Sequence, residues 1–131
     1  MIRRAVEKDI ERIAEIYDEL VLYEEKTISY TGWKRGVYPT IKEPIHAVPK
    51  GTMYVYEQDG KVVASMIIDS NQAQPYRDIQ WKHKAKDEKV FVIHTLCVDP
   101  YEKGKGIGST MVKYAIDCAR AGGFEVLRID T

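Results

Sequence analysis

The sequence predicts an α/β (α+β) fold, in which a mixed central sheet carries helices on both faces. Three stretches predict it: an amphipathic helix ending near Glu25, a hairpin from Thr52 to Ile68, and a strand–loop–helix segment from Val90 to Gly122. Their order, β-α-(loop or α)-β-β-β-α-β, is typical of a sheet covered by helices. The last two strands flank a helix and are therefore expected to be parallel.

The N-terminal part of the chain is predicted to form a short strand and a long helix. Ile2 to Ala5 is the strand candidate, and Glu7 or Asp9 suits a helix N-terminus, where negative charge is favoured. An apolar stripe then follows at helical spacing: Ile10, Ile13, Ala14, Tyr17, Leu20 and Val21. This periodicity predicts an amphipathic helix up to about Glu25.

The stretch from Thr27 to Gly51 is repeatedly interrupted by glycine and proline, so no long element is expected there. A short helix from Thr40 to Ala47 is compatible with the sequence, although Pro44 limits it. His46 and His83 are expected in loops, and their spacing does not indicate a metal site.

A hairpin is predicted in the middle of the chain. Thr52 to Tyr56 alternates as a strand, Asp59-Gly60 marks a tight turn, and Lys61 to Ile68 forms the return strand. The polar stretch from Asp69 to Lys89 is long for a plain connection, and its charge run is expected to be a solvated face.

The most informative stretch runs from Val90 to Gly122. Val90 to Val98 is almost wholly apolar or β-branched, which predicts a strand buried on both faces. Asp99-Pro100 ends the strand, because proline has no N–H for a ladder. From Ile107 onward apolar residues follow helical spacing, and Gly122-Gly123 predicts the end of that helix.

Three glycines, Gly104, Gly106 and Gly108, alternate where this strand meets the helix. Glycine lets the backbone approach a ligand closely, and the first N–H groups of a helix have no partner within it. The helix dipole adds roughly half a positive charge at the same end. The loop therefore predicts a site for a phosphate or pyrophosphate group.

Two nucleotide-binding patterns do not fit this loop. A P-loop requires G-x-x-x-x-G-K-[ST], but Asp99 stands at its first glycine and Gly106 follows Lys105. A dinucleotide fingerprint, G-x-G-x-x-G, would have Ser109 in place of its last glycine.

The segment V-D-P-x-x-x-G-K-G-I-G-S instead resembles the acetyl-CoA loop of the GNAT superfamily of N-acetyltransferases, Q/R-x-x-G-x-G/A. Its six positions correspond in order to Lys103, Gly104, Lys105, Gly106, Ile107 and Gly108. Lys103 stands where the family usually has glutamine or arginine, and it keeps the positive charge without the bidentate fork.

The resemblance implies a GNAT fold and direct transfer of an acetyl group from the thioester of acetyl-CoA to a primary amine of a small molecule or peptide. It implies that the pyrophosphate meets N–H groups from Gly104 to Ser109. The pantetheine arm would pair with the backbone of Leu96, Cys97 and Val98, beside a bulge in the strand. A CoA-binding or regulatory module of the same fold, without turnover, is the alternative.

His94 is the candidate general base. An alkyl ammonium has a pKa near ~10 and must lose a proton before it attacks, and His94 is the one neutral-pH base in the predicted cofactor strand. Some arylalkylamine-type members of the family carry a histidine there. Apart from a bulge, alternation places His94 on the face of Val92 and Leu96, with Thr95 and Cys97 opposite. A core histidine bonded to a backbone carbonyl is the alternative.

The remaining chemistry is assigned to the backbone and to aromatic side chains. A backbone N–H near Leu96 or Cys97 would stabilise the oxyanion. The candidate acceptor-binding residues are four aromatics: Tyr30, Trp33, Tyr38 and Trp81. They would suit an aromatic or apolar amine, and a plain core role is the alternative for each.

Length and composition limit the classes of protein to which this chain can belong. The 131 residues fit a single domain spanning 1–131, and 20 basic residues balance 20 acidic ones, without the basic excess typical of a nucleic-acid or membrane partner. No apolar run approaches the ~20 residues of a membrane span, and the N-terminus lacks a signal-peptide core. A cytoplasmic location is expected. Cys97 and Cys118 fit buried thiols of a reducing compartment rather than a disulfide.

The last predicted strand is Phe124 to Ile129. The family pattern normally continues through an Asn-containing loop, a short helix with a tyrosine that protonates the thiolate, and two more strands, whereas this sequence stops at Thr131. We therefore expect a C-terminally incomplete GNAT domain. Its edge strand would be open to pairing with another chain, as in a homodimer.

Overall fold

The central element of the fold is a five-stranded sheet, seen in a computed structural model that describes residues 1–26, 39–69, 90–102, 104–124 and 126–130. The strands lie in the spatial order of the chain: β1 Ile2–Arg4, β2 Met53–Gln58, β3 Lys61–Asp69, β4 Val90–Val98 and β5 Val126–Asp130. Each pair up to β4 is antiparallel, and β4 pairs with β5 in parallel. The predicted mixed sheet with a parallel final pair is confirmed.

In the described parts of the chain, three helices cover the sheet: α1 Ile10–Lys26, α2 Lys42–Lys50 and α3 Ile107–Ala121. Short 3₁₀ turns at Glu7–Asp9 and Pro100–Glu102 precede α1 and α3. Asp9, the last residue of the first turn, caps its start by accepting a hydrogen bond from the backbone N–H of Val6 at 2.8 Å. This confirms the prediction of an acidic residue at the helix start.

Two hydrophobic clusters lie on opposite faces of the sheet. On one face, Ile13, Ile16 and Tyr17 of α1 pack with Ala47 of α2 against inward residues of the strands. On the other, Met111 and its neighbours on α3 pack against the opposite residues of the same strands. Full burial of each such side chain contributes about 1.5–3 kcal/mol. The prediction of helices on both faces is therefore correct.

The hairpin between β2 and β3 turns at Asp59-Gly60, as predicted. Both residues have positive φ angles, 52° and 78°. Two consecutive left-handed residues form the type I′ turn, whose twist matches that of the flanking strands. The hairpin fixes the position of β3, the strand that lies beside β4.

Helix α2 is longer than the predicted segment from Thr40 to Ala47. Pro44 lies in its first turn. N–H groups of the first turn have no acceptor within the helix, so proline, which lacks an N–H, costs the helix no hydrogen bond there. Glu43 stabilises this end by accepting a hydrogen bond from the backbone N–H of Thr40 at 2.7 Å. His46 therefore lies within a helix, and the prediction that it lies in a loop is wrong.

A β-bulge interrupts β4 at its centre. From Ile67 to Ser65, β3 advances by two residues. Over the same distance β4 advances by three, from His94 to Cys97, and Thr95 has a φ of +47°. The bulge that the family resemblance implied is present.

The bulge changes which side chains share a face. Leu96 packs with the cluster under α3, whereas Cys97 packs with the cluster under α1. His94 and Thr95 line one cavity on the α2 side of the sheet. The alternation that grouped His94 with Leu96, and opposed it to Thr95 and Cys97, is therefore wrong, because the extra residue reverses the facing of everything after it.

Candidate functional site

The glycine loop connects the end of β4 to the start of α3. The backbone N–H of Asp99 donates to the carbonyl of Val63 at 2.8 Å, which holds the end of the strand against β3. Beyond it, Gly104 and Gly106 have φ angles of +85° and +75°. Side chains rarely adopt these conformations, so the alternating glycines are required by the path of the chain.

At the start of α3, the loop leaves backbone N–H groups without an acceptor in the described part of the chain. Gly106 precedes the helix and has no side chain to cap it, while its carbonyl accepts hydrogen bonds from the N–H and hydroxyl of Thr110 at 3.0 and 2.9 Å. Within the described residues, the N–H groups of Ile107, Gly108 and Ser109 have no acceptor. Free N–H groups and the positive end of the helix dipole make this a favourable position for an anion.

The side chains of the loop differ in their exposure and contacts near the start of α3. Lys105 is exposed and forms an ion pair with Glu102, which lowers the pKa of Glu102 and raises that of Lys105. Ile107 is buried in the core under α3, and Ser109 is exposed. Lys103 lies outside the described residues, so its predicted phosphate contact stays a prediction.

A buried ion pair anchors the loop to α1. Asp99 is 3% exposed, and its Oδ2 accepts a hydrogen bond from Nη2 of Arg12 at 2.7 Å. Its Oδ1 accepts a second from the backbone N–H of Tyr101 at 3.0 Å. Burial lowers the pKa of Arg12, but Asp99 and neighbouring glutamates outweigh this effect and raise it overall. The sequence did not predict this contact, because the two residues are distant in the chain.

The strand residues predicted to meet the donor lie beside the bulge. Leu96 and Val98 pack towards α3, and Gly108 faces Val98 at a distance where an added Cβ would make an ordinary van der Waals contact of 3.9 Å. Cys97 is buried, and burial raises the pKa of its thiol, which disfavours the thiolate that a nucleophile requires. Pairing between β4 and β5 extends from Val90 to His94.

The predicted base, His94, has a carboxylate partner. Its Nε2 lies 2.9 Å from Oδ1 of Asp69, at the end of β3. The side chains are 15% and 25% exposed, respectively. An ionised carboxylate only accepts hydrogen bonds, so this contact favours the tautomer in which Nε2 carries the proton and Nδ1 the lone pair of neutral His94. Asp69 had no predicted role, although its position after an apolar strand is visible in the sequence.

His94 and Asp69 line a cavity of about 260 Å³. Its walls on the sheet side also include Thr52, Ile67 and Thr95. The opposite wall is α2, which contributes Lys42, Glu43, His46, Ala47 and Lys50. The α2 wall was missed, although the spacing of Lys42, His46 and Lys50 along one helical face could have indicated it.

Three buried hydroxyl groups lie near the bulge. Tyr17 is 1% exposed, and its pKa is raised by burial, an effect opposed by the nearby hydroxyls of Thr95 and Ser65. None of the three hydroxyl oxygens completes a hydrogen bond within the described structure. Three buried hydroxyls beside the bulge are therefore left without a hydrogen-bond partner in the described structure.

Several predicted positions lie outside the described parts of the chain. Tyr30, Trp33, Tyr38 and Trp81, the candidate acceptor-binding aromatics, all lie outside the described residues, as does His83. Within the described part of the chain, no group of three or more His, Cys, Asp or Glu side chains is suited to hold a metal ion. No helix of that part has the length and apolar character needed to cross a membrane.

Comparison with known proteins gives the family. The model of the acetyltransferase (GNAT) family matches residues 11–131. A presumed acetyltransferase from Staphylococcus aureus Mu50 has a similar structure, with a TM-score of 0.78 and 29% identity over 100% of this chain and 79% of that one. No curated protein matches this sequence.

Two other structures are similar in fold alone. A GNAT-family acetyltransferase from Streptococcus agalactiae 2603 has a TM-score of 0.77 and 21% identity over 90% of this chain and 69% of that one. The ribosomal-protein-alanine N-acetyltransferase of Brucella melitensis has a TM-score of 0.66 and 20% identity over 97% and 71%. Because the family model covers nearly the whole sequence, this chain belongs to the GNAT family of acetyltransferases.

Proposed function

We propose that this GNAT acetyltransferase moves an acetyl group directly from acetyl-CoA to a primary amine of a small molecule or peptide. The observation that carries the proposal is the glycine loop, whose N–H groups at the start of α3 have no acceptor among the described residues and suit a pyrophosphate. The Brucella protein of similar fold is an N-acetyltransferase by name, which is compatible with an amine acceptor.

The residues present fit the donor. The N–H groups from Gly104 to Ser109 would hold its pyrophosphate, and Lys105 and Lys103 would add positive charge. An added Cβ at Gly104 or Gly106 would meet no atom within 4 Å, so the space over the loop is open. Backbone groups of Leu96, Cys97 and Val98 would pair with the pantetheine arm. Acetyl-CoA supplies an acetyl group that is activated as a thioester.

His94 would take the proton of the acceptor ammonium. The amine has a pKa near ~10, so that at neutral pH it is almost wholly protonated and cannot attack. Nδ1 of His94 is the basic nitrogen when Nε2 donates to Asp69. The carboxylate stabilises the imidazolium that forms and keeps the ring oriented, as a third group does in other acid–base sites.

A backbone N–H at the bulge would stabilise the negative charge that develops on the thioester oxygen during the reaction. Thr95 departs from regular strand geometry, and an extra residue in a strand leaves a backbone group outside the ladder. An N–H of Leu96 or Cys97 would then meet the oxygen that gains charge when the amine adds. Removal of one such donor typically costs about 10²–10³ in kcat.

Amine-dependent thiol release from acetyl-CoA tests the proposal. The protein is incubated with acetyl-CoA and a panel of primary amines, and free thiol and N-acetylated product are measured together. We expect both to appear in equal amounts with at least one class of amine, and only slow thiol release without amine. CoA binding without amine-dependent turnover would contradict the proposal and favour a non-catalytic CoA-binding module.

A further inference from the structure

The cavity beside His94 has one negative and one positive wall. The sheet side holds Asp69 with its partner His94, and the α2 side holds Lys42 and Lys50. Glu43 also lines the cavity, but its carboxylate accepts hydrogen bonds from the N–H and hydroxyl of Thr40 at 2.7 and 3.2 Å. A ligand with a positive end and a negative end would therefore place the positive end at Asp69 and the negative end at the lysines.

The positive wall is a stripe along one face of α2. Lys42, His46 and Lys50 are spaced by four residues, which places them one above another on the helix. All three side chains are exposed, and none forms an ion pair or hydrogen bond in the described part of the chain. Two ammonium groups at the rim of one cavity, without an acidic partner, favour the binding of an anion.

The negative wall faces the reaction centre. Asp69 and His94 stand where an acceptor amine would be deprotonated, if the function proposed above is correct. An ammonium group is attracted to the carboxylate of Asp69 before it loses its proton. The lysines cannot bind this end of the acceptor, because like charges repel it, so they would contact another part of the same molecule.

The cavity has room for a small acceptor. Its volume of about 260 Å³ lies just below the range of roughly 300–1,000 Å³ typical of ligand pockets. An aromatic monoamine would leave both lysines without a partner, whereas a small molecule with an amine at one end and an anion at the other would satisfy both walls.

We infer that the acceptor is a small amine that also carries an anionic group, a carboxylate or a phosphate, which Lys42 and Lys50 bind. This inference rests on the proposed acetyl transfer and names the substrate class of the same site. The contact between ammonium and anion is charge-assisted, which makes it stronger than a neutral hydrogen bond.

Matched pairs of acceptors test the inference. β-Alanine is compared with β-alaninamide, and 2-aminoethyl phosphate with 2-aminoethanol, so that each pair differs in the anion. We expect kcat/KM to be higher for the anionic member of at least one pair by about tenfold or more. Preference for the carboxylate or for the phosphate identifies the anion. Equal or better acetylation of both neutral amines would overturn the inference.

Substitution of the two lysines of this stripe gives a second test, which compares KM with kcat. In the double variant Lys42→Ala with Lys50→Ala, the preference for the anionic acceptor should disappear, through a rise in KM with kcat almost unchanged. Lys113→Ala removes one exposed charge from α3, on the opposite face of the sheet, and should keep the preference. Equal preference in the double variant and the control would contradict the assignment.

Anion binding without turnover separates this inference from the proposed function. Acetate or inorganic phosphate is titrated into the protein while the imidazole signal of His46 is followed by NMR. We expect a saturable shift that the double lysine variant loses and Lys113→Ala retains, whether or not acetyl transfer occurs. A shift that is absent, or unchanged in the double variant, would reject the anion site even if acetylation of neutral amines is found.

Discussion

The guanidinium of Arg12 donates from Nη2 to Oδ2 of Asp99 over 2.7 Å, and so joins the first turn of α1 to the residue that follows β4. Nε of the same guanidinium donates to the carbonyl of Val62 at 2.9 Å. One side chain therefore holds α1, β3 and the start of the glycine loop in fixed relation, although it touches no part of the predicted donor site.

Loss of Arg12 is expected to destabilise the fold and loosen the loop. Arg12→Ala leaves the buried carboxylate of Asp99 uncompensated, which costs about 3–5 kcal/mol in comparable buried pairs. Denaturant unfolding and CoA affinity are measured together, and both should fall. Glu15→Ala removes an exposed partner of Arg12, so it is the control, with an expected loss of at most about 1 kcal/mol. Equal losses in the two variants would show that the buried pair has no special role.

His94→Gln tests the base. Glutamine retains a polar side chain of similar size but cannot take a proton, so kcat should fall by about 10²–10⁴. The acidic limb of the pH–rate profile should disappear in this variant. In Asp69→Asn the limb should move to lower pH, because the imidazolium loses its carboxylate partner. If the pH–rate profile of His94→Gln is identical to that of the unmodified protein, His94 has a structural role.

The free energy of unfolding is expected to depend on pH through Asp9. Burial alone would raise the pKa of Asp9, but hydrogen bonds from Arg3 and the N–H of Val6 outweigh it and lower the pKa. A depressed folded-state pKa means that the carboxylate stabilises the fold above its unfolded pKa of about 4, and that this contribution is lost as the pH falls through the folded value.

Urea unfolding of Asp9→Asn against pH checks this linkage. At pH 7 the variant should be less stable by about 1.5–3 kcal/mol, as for hydrogen bonds to charged groups. The difference should shrink below pH 4. A constant difference across the range would mean that Asp9 acts through packing rather than through its charge.

Tyr17→Phe should leave the free energy of unfolding unchanged or raise it. The ring is fully buried and remains, while the removed hydroxyl has no hydrogen-bond partner in the described structure. An unpaired buried hydroxyl costs about 1–3 kcal/mol, so its removal relieves a penalty. Denaturant midpoints measure the effect. A loss above about 1 kcal/mol would show that the hydroxyl is hydrogen-bonded in solution, for example to a buried water.

Elements set by local sequence were predictable. The type I′ turn at Asp59-Gly60 and the loop around Gly104 and Gly106 follow from residue preferences that act over a few positions. The stripe of α1 follows from helical periodicity, and its packing onto the sheet was correctly expected.

Features set by distant contacts were not predictable. The bulge at Thr95, which only the family resemblance implied, depends on the register between two strands, and it decides which faces Leu96 and Cys97 occupy relative to His94. Asp69 meets His94 across a separation of 25 residues, and Arg12 meets Asp99 across 87. No local pattern encodes such pairs, so the sequence indicated the candidate base without its partner and the loop without its anchor.

The central claim is that the glycine loop holds the donor, and calorimetric measurement of CoA affinity in two matched glycine variants tests it most directly. Gly106 and Gly123 lie at opposite ends of α3 with φ of +75° and +76°, and an added Cβ meets no atom within 4 Å at either position. Alanine thus introduces the same backbone strain at both. We predict that Gly106→Ala weakens CoA binding by about tenfold or more, and that Gly123→Ala leaves it nearly unchanged. Equal affinities in the two variants would contradict the claim.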